Sequence, residues 1–392
     1  MENALGKVIP RPIAYRKQAI MKQIKIGTLD IDDGEKARVI ETIKSGFLSA
    51  GPVIEEFEDK VAALHGKKHG IFVNSGQSAL EVALVLAREC LEIHDRPLRV
   101  LVPTTTYAAT LWAVLNTNNV PVFCDVNPKT FCMDYSRTQD KKFDVALPVD
   151  LCGYAATKPP KGNALVVEDA CEAMGNPYAN YGDIVCLSFY VAHIITTGSG
   201  GMICLDDDYL TEYARSYITH GRKFGGDFTK YKNTWVDRFL FDKQGISARG
   251  NALEAAFGLA QLEKLDRIIQ KRQENAKYFH DLWVNSDIKG SVLFPDADYI
   301  SKCIFQFFPI ILKNDLNREK VLKSLFTKGI DSRVLLSLTN QPIFRKLYGN
   351  IENNYEVSKF INSRGFVLGC HQQLNASDIE YMFEALRQAI KE

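Results

Sequence analysis

Ser188-Phe189-Tyr190-Val191-Ala192-His193-Ile194-Ile195-Thr196-Thr197-Gly198-Ser199-Gly200-Gly201 sets a hydroxyl, a histidine and a glycine-rich turn between two apolar runs. The runs on either side, residues 184–187 and 202–205, read as buried strands. A loop of this composition can hold a small anion and present one titratable side chain to it. A histidine between apolar strands is ordinarily a packed core residue. The loops that accompany this one along the chain argue for more.

Working outward, residues 70–73 form a short strand, Asn74-Ser75-Gly76-Gln77-Ser78 a turn, and residues 79–90 a helix. Strand, small-residue turn and helix start make a phosphate cradle, because free N–H groups and the helix dipole favour an anion there. An ordinary N-capped helix accounts for the same residues. The alternation continues with strand 100–102, helix 107–116, and strands 120–124, 145–147 and 164–167, the last running into Glu168-Asp169. Strands separated by helices predict a mostly parallel sheet covered on both faces. In such sheets ligands bind beyond the carboxyl ends of the strands. The turn 74–78, the stretch 103–107, Asp169 and the loop 188–193 all follow strands, so all are expected at one edge.

The rest of the chain sets the frame. Its 392 residues exceed one hydrophobic core, and 46% are apolar, enough for a large domain with a smaller one attached. Residues 1–26 are basic and weakly periodic and read as an N-terminal arm. The large domain is expected over 27–265 and the small one over 266–392. Helices are expected over 33–45, from 52 to about 65 and over 209–220. Residues 221–245 are polar and irregular, and a single long amphipathic helix is expected over 252–281. Strand 303–312 and helices 318–328, 355–361 and 377–391 follow. The net charge of +1 offers no electrostatic case for nucleic acid or an acidic membrane. No apolar stretch is long enough to span a bilayer. The nine cysteines are scattered, without zinc spacing, which suits buried thiols in a cytoplasmic protein and no metal site.

Several motifs taken together resemble one family. They are Phe47-Leu48-Ser49-Ala50-Gly51-Pro52, Asn74-Ser75-Gly76-Gln77-Ser78-Ala79-Leu80, Glu168-Asp169-Ala170-Cys171-Glu172-Ala173-Met174-Gly175, Gly182-Asp183 ahead of Ser188-Phe189, and the segment 254–265. They are similar to the DegT/DnrJ/EryC1/StrS sugar aminotransferase and dehydratase family, and the similarity runs from about residue 27 to the C-terminus. The resemblance implies the aspartate-aminotransferase fold (fold type I), with a large three-layer αβα domain and a small C-terminal α/β domain. It also implies pyridoxal or pyridoxamine 5'-phosphate as cofactor, a nucleotide-linked keto sugar as substrate, and a homodimer with a shared active site.

In the aminotransferases of this family a lysine that holds the cofactor covalently follows the Ser-Phe motif. Here that position is His193. The loop 188–201 and Gly369-Cys370-His371-Gln372 look like the branch that removes the C3 hydroxyl of nucleotide-linked 4-keto-6-deoxy sugars. Two positions depart from the usual pattern: Ser199 replaces a glutamate, and Gly245-Ile246-Ser247 stands where Gly-Tyr-Asn is usual. The dehydratase type that carries an iron–sulfur cluster has cysteines near the segment Gly221-Arg222-Lys223-Phe224, and this chain has none there.

The resemblance implies a role for each site residue. Asp169 faces the pyridine nitrogen, Ser188 binds the phosphate with the Gly76 and Gln77 amides, and Tyr107 stacks on the ring. Glu172 lies near the cofactor hydroxyl. Ser247 and Arg249 reach the site from the partner subunit, and His371 contacts substrate. His193 serves as acid and base, since imidazole titrates near neutrality, and glutamate is the implied amino donor. A 4-aminotransferase whose lysine has been replaced, or a cofactor-binding member without turnover, fits the same residues.

Overall fold

The computed structural model describes residues 22–160, 162, 164–223, 236–313, 316–335 and 337–392. Seven strands form the larger sheet: β1 (His69–Val73), β2 (Arg99–Pro103), β3 (Val120–Cys124), β4 (Val145–Ala146), β5 (Leu165–Asp169), β6 (Ile184–Ser188) and β7 (Gly201–Leu205). Their order is β1-β7-β6-β5-β4-β2-β3. Only β7 runs against its neighbours, so the carboxyl ends of the other six share one edge. The predicted convergence of loops at one edge follows from that direction alone.

The sheet is covered on both faces, as its unbroken apolar strands require. In β1, Ile71 and Val73 pack towards α3 (Gly76–Cys90), whereas Phe72 points to the opposite face, against Phe57 and Phe189. Residues 33–45 and 52–64 form α1 (Asp33–Ser45) and α2 (Pro52–Leu64), and α4 (Ala108–Asn116) follows β2. α5 (Asp208–Tyr217) follows β7 and packs on the α3 side, whereas α2 and α6 (Ala252–Leu262) cover the other face. The glycine turn before β7 needs backbone that other residues rarely adopt, with φ +92° at Gly198 and +134° at Gly200.

The predicted helix over 252–281 is two helices, α6 and α7 (Leu265–Val284). Lys264 at the corner is tied by ion pairs to Asp32 and Glu35, and Gln261 donates to the Asp30 carbonyl. Those contacts tie the end of α6 to α1, Ala255 and Leu259 seat α6 on the large sheet, and Phe279 of α7 packs into the second core. Packing on two different bodies turns a chain whose periodicity is continuous.

The second sheet, in the order β10-β11-β9-β8, comprises β8 (Val292–Leu293), β9 (Phe307–Leu312), β10 (Ser332–Val334) and β11 (Gly365–Gly369). Around it lie α8 (Ala297–Lys302), α9 (Arg318–Thr327), α11 (Glu356–Arg364) and α12 (Ala376–Lys391), whereas α10 (Pro342–Tyr348) packs through Phe344 on Phe123 and Leu111 of the large unit. The strand expected over 303–312 begins at Phe307, because Cys303 instead bridges Tyr154 in the large unit. Residues 1–21 of the expected arm lie outside the described residues. Its remaining end packs on the second sheet, with Ile24 and Ile26 buried and Ile24 bridging Ile330. Part of the irregular stretch, 224–235, also lies outside them. Among the described residues, no helix is long and apolar enough to cross a membrane.

Candidate active site

The common edge of the large sheet carries the loops after β1, β2, β5 and β6. Ser75 caps α3, its hydroxyl accepting the Ser78 N–H at 3.1 Å. That leaves the first amides of the helix, at Gly76 and Gln77, without acceptors within it. Ser188, at the end of β6, lies directly against this turn: a Cβ on Gly76 would meet the Ser188 Cβ at 2.6 Å. Only glycine permits that approach, which sets a buried hydroxyl beside a helix N-terminus and forms an anion cradle. The Gln77 side chain turns away to Glu81, at 2.9 Å.

Asp169 ends β5, and its carboxylate is buried. Oδ2 accepts the Thr110 hydroxyl at 2.9 Å and Oδ1 accepts the Cys171 N–H at 3.3 Å. Burial pushes this carboxyl above its usual range, offset only by hydrogen bonds from Cys171 and Thr110. A buried carboxylate held by neutral donors alone favours a cationic partner. Three residues on, Glu172 accepts the Cys152 N–H at 2.6 Å, and burial lifts its carboxyl to about 7. Cys152 presents that N–H from a left-handed backbone conformation, with φ 59°.

His193 lies on the loop after β6, and its N–H closes a turn onto the Tyr190 carbonyl at 2.9 Å. The ring is partly exposed, but Nδ1 is buried without a partner. Burial, followed by the nearby charge of Arg272, lowers its pKa to about 4, so the ring is neutral near pH 7. A neutral imidazole carries one lone pair ready to accept a proton. His371, after β11, is buried with both ring nitrogens unpartnered, and burial with Arg272 lowers it to about 4 as well.

The other expected site residues lie at the rim. Tyr107, at the start of α4, is 71% exposed. Ser247 and Arg249 are exposed on a segment that runs beside β1, where Arg249 bridges Val73 and the Ala248 carbonyl accepts the Asn74 N–H. Ser199, in place of the usual glutamate, donates to Glu254 at 2.8 Å. Sequence reasoning missed Thr110, Cys152, Arg272 and Gln306. Gln306 had left a trace as a lone polar residue in an apolar run; Arg272, among the charges of α7, had left none.

This fold, a mixed sheet with its loops gathered around an anion cradle and a buried carboxylate, is that of the pyridoxal-phosphate-dependent aminotransferases. The chain belongs to the DegT/DnrJ/EryC1/StrS aminotransferase family, whose pattern matches residues 29–387. It is 28% identical to a GDP-perosamine synthase of Caulobacter vibrioides, over 94% of this chain and 99% of that one. It is 24% identical to a GDP-4-keto-6-deoxy-D-mannose 3-dehydratase of Escherichia coli O55:H7, over 91% and 97%. Among solved structures, a variant GDP-4-keto-6-deoxymannose-3-dehydratase with bound GDP-perosamine superposes with a TM-score of 0.84 at 21% identity, covering 93% of this chain and all of that one. The Escherichia coli 3-dehydratase with bound hydrated pyridoxal phosphate superposes at 0.82 and 21%, with coverage of 93% and 100%.

Proposed function

We propose that this protein binds pyridoxal or pyridoxamine 5'-phosphate and removes the C3 hydroxyl of a nucleotide-linked 4-keto-6-deoxy sugar, with glutamate as amino donor. The observation that carries this reading is the residue at position 193, a neutral histidine on the cofactor-side loop in a stretch from Ser188 to Gly201 that contains no lysine. The Gly76–Ser188 cradle and the uncompensated Asp169 carboxylate fit the phosphate and the ring nitrogen of that cofactor.

When bound, the pyridine ring supplies an electron sink for carbanion chemistry. The protein's own groups supply the rest. The amides of Gly76 and Gln77 with the Ser188 hydroxyl hold the phosphate, and Asp169 keeps the ring nitrogen protonated. Glu172 lies on the ring's hydroxyl side, and Tyr107 closes over its face. His193 accepts one proton at its unshared nitrogen and hands one to the departing hydroxyl. The exposed Tyr107 and Tyr190 at this edge support a homodimer in which a second copy covers the site and brings Ser247 and Arg249 to it. His371 is assigned to substrate contact. We place the large domain over 27–265 and the small one over 266–392.

The test is incubation with glutamate and GDP-4-keto-6-deoxy-D-mannose in heavy water. Deuterium at C3 with equal ammonia and 2-oxoglutarate is the expected result. An amino sugar as the sole product means transamination at C4, and retention of cofactor and sugar without product means an idle binding protein.

A further inference from the structure

His193 is held from the side of the second sheet. Gln306, just ahead of β9 and 1% exposed, donates its side-chain N–H to the carbonyl of Ala192, the residue before His193. A carbonyl only accepts, so the amide cannot be turned over, and Oε1 must face away from Ala192. That oxygen is buried with no donor. The Nδ1 of His193 is likewise buried with no partner.

The amide has little freedom to move. The Gln306 N–H donates to the Cys152 carbonyl at 2.9 Å, and its own carbonyl accepts from Arg272 Nη1 at 3.1 Å. Arg272, itself 3% exposed, also binds the Phe305 carbonyl at 3.0 Å. An acceptor without a donor and a ring nitrogen without a partner therefore belong to two segments already joined by a hydrogen bond. Leaving both unpaired is costly, and pairing them satisfies both.

We propose that Gln306 is the positioning residue for His193: it anchors the Ala192 carbonyl and receives the Nδ1–H of the imidazole on Oε1, which leaves Nε2 as the nitrogen that exchanges protons with substrate. A neutral imidazole has two tautomers, and the bond made by one nitrogen decides which lone pair the other offers. Arg272 has two functions here: it fixes the main chain of Gln306, and its charge disfavours the imidazolium form. The proposal rests on the reading of His193 as the acid and base.

The test uses the full chain labelled with ¹⁵N-histidine, with the His193 signals assigned by their loss in His193→Asn. The wild type is expected to show His193 as the Nδ1–H tautomer at pH 7. Gln306→Met keeps length and volume but removes the acceptor. It is expected to shift His193 towards the Nε2–H form and to lower kcat on the order of 10²-fold, with KM for the sugar nearly unchanged. Gln306→Glu restores the acceptor but not the N–H that anchors the Ala192 carbonyl. It is expected to restore the Nδ1–H tautomer and part of kcat, and to move the acid limb of the pH profile upward, because a carboxylate stabilises the imidazolium. An unchanged His193 tautomer in Gln306→Met overturns the proposal, as does an Nε2–H tautomer that persists in Gln306→Glu. The tautomer measurement needs neither cofactor nor sugar. A tautomer lost in Gln306→Met therefore supports the proposal even if the wild type proves to transaminate.

Discussion

Asp125, at the end of β3, caps the first turn of α11 from 233 residues away: its Oδ1 accepts the Ser358 N–H at 2.9 Å and the Ser358 hydroxyl at 2.8 Å. Its Oδ2 accepts the Val357 N–H at 3.0 Å. Ser358 also meets the hydroxyls of Thr104 and Thr105, at 2.6 and 3.0 Å, on the loop that leads to Tyr107. One buried carboxylate thus joins the large sheet, the second unit and a site loop.

Removing that carboxylate orphans several buried N–H groups at once. Asp125→Ala is expected to lower stability by roughly 2–4 kcal/mol, and Ser358→Ala by about 1 kcal/mol. Urea denaturation checks both. Equal, small losses would mean that the cap contributes little.

Asp169→Ala removes the buried charge proposed to face the ring nitrogen. Cofactor affinity and activity are expected to fall together, with activity down on the order of 10²-fold or more. Absorbance of the bound cofactor during dialysis, alongside the assay, measures both. Activity within a few-fold of wild type would show that Asp169 is not the ring's partner.

His193→Asn is expected to bind pyridoxamine phosphate and sugar yet lose dehydration by about 10² to 10⁴. His193→Lys supplies an amine at the family's usual position, so dehydration falls and amino transfer to C4 can appear. Deuterium at C3 and amino-sugar yield separate the two outcomes. Wild-type labelling in His193→Asn would place the proton transfer on another group.

Stability should also report the buried His65. It is 1% exposed, its Nδ1 lies 2.7 Å from Asn180 Oδ1, and burial lowers its pKa from 6.5 to about 4. The folded pKa is depressed, so the unfolded chain takes up a proton first as pH falls. Stability is full above pH 6.5 and is lost as pH drops towards 4, at up to about 1.4 kcal/mol per pH unit from this residue. His65→Gln is expected to flatten that slope when urea midpoints at pH 7 and 4.5 are compared. An unchanged slope would show that His65 does not contribute to it.

The strand–turn–helix alternation was determined by the sequence itself, because burial on two faces imprints continuous apolar runs and one-face burial imprints a helical period. The strand ends by themselves locate Gly76, Asp169, Ser188 and His193 at one edge. The family motifs added the cofactor and the meaning of a histidine where lysine is usual. The contacts that hold the site in place carry no such imprint. The Gln306–Ala192 bond spans 114 residues. Arg272 is buried although its neighbours Lys271 and Gln273 resemble any solvated helix face. Periodicity reports which side of an element faces the core, but not which distant element meets it. Only the packing of the second unit against the first decided what surrounds His193 and where the predicted single helix turns at Lys264.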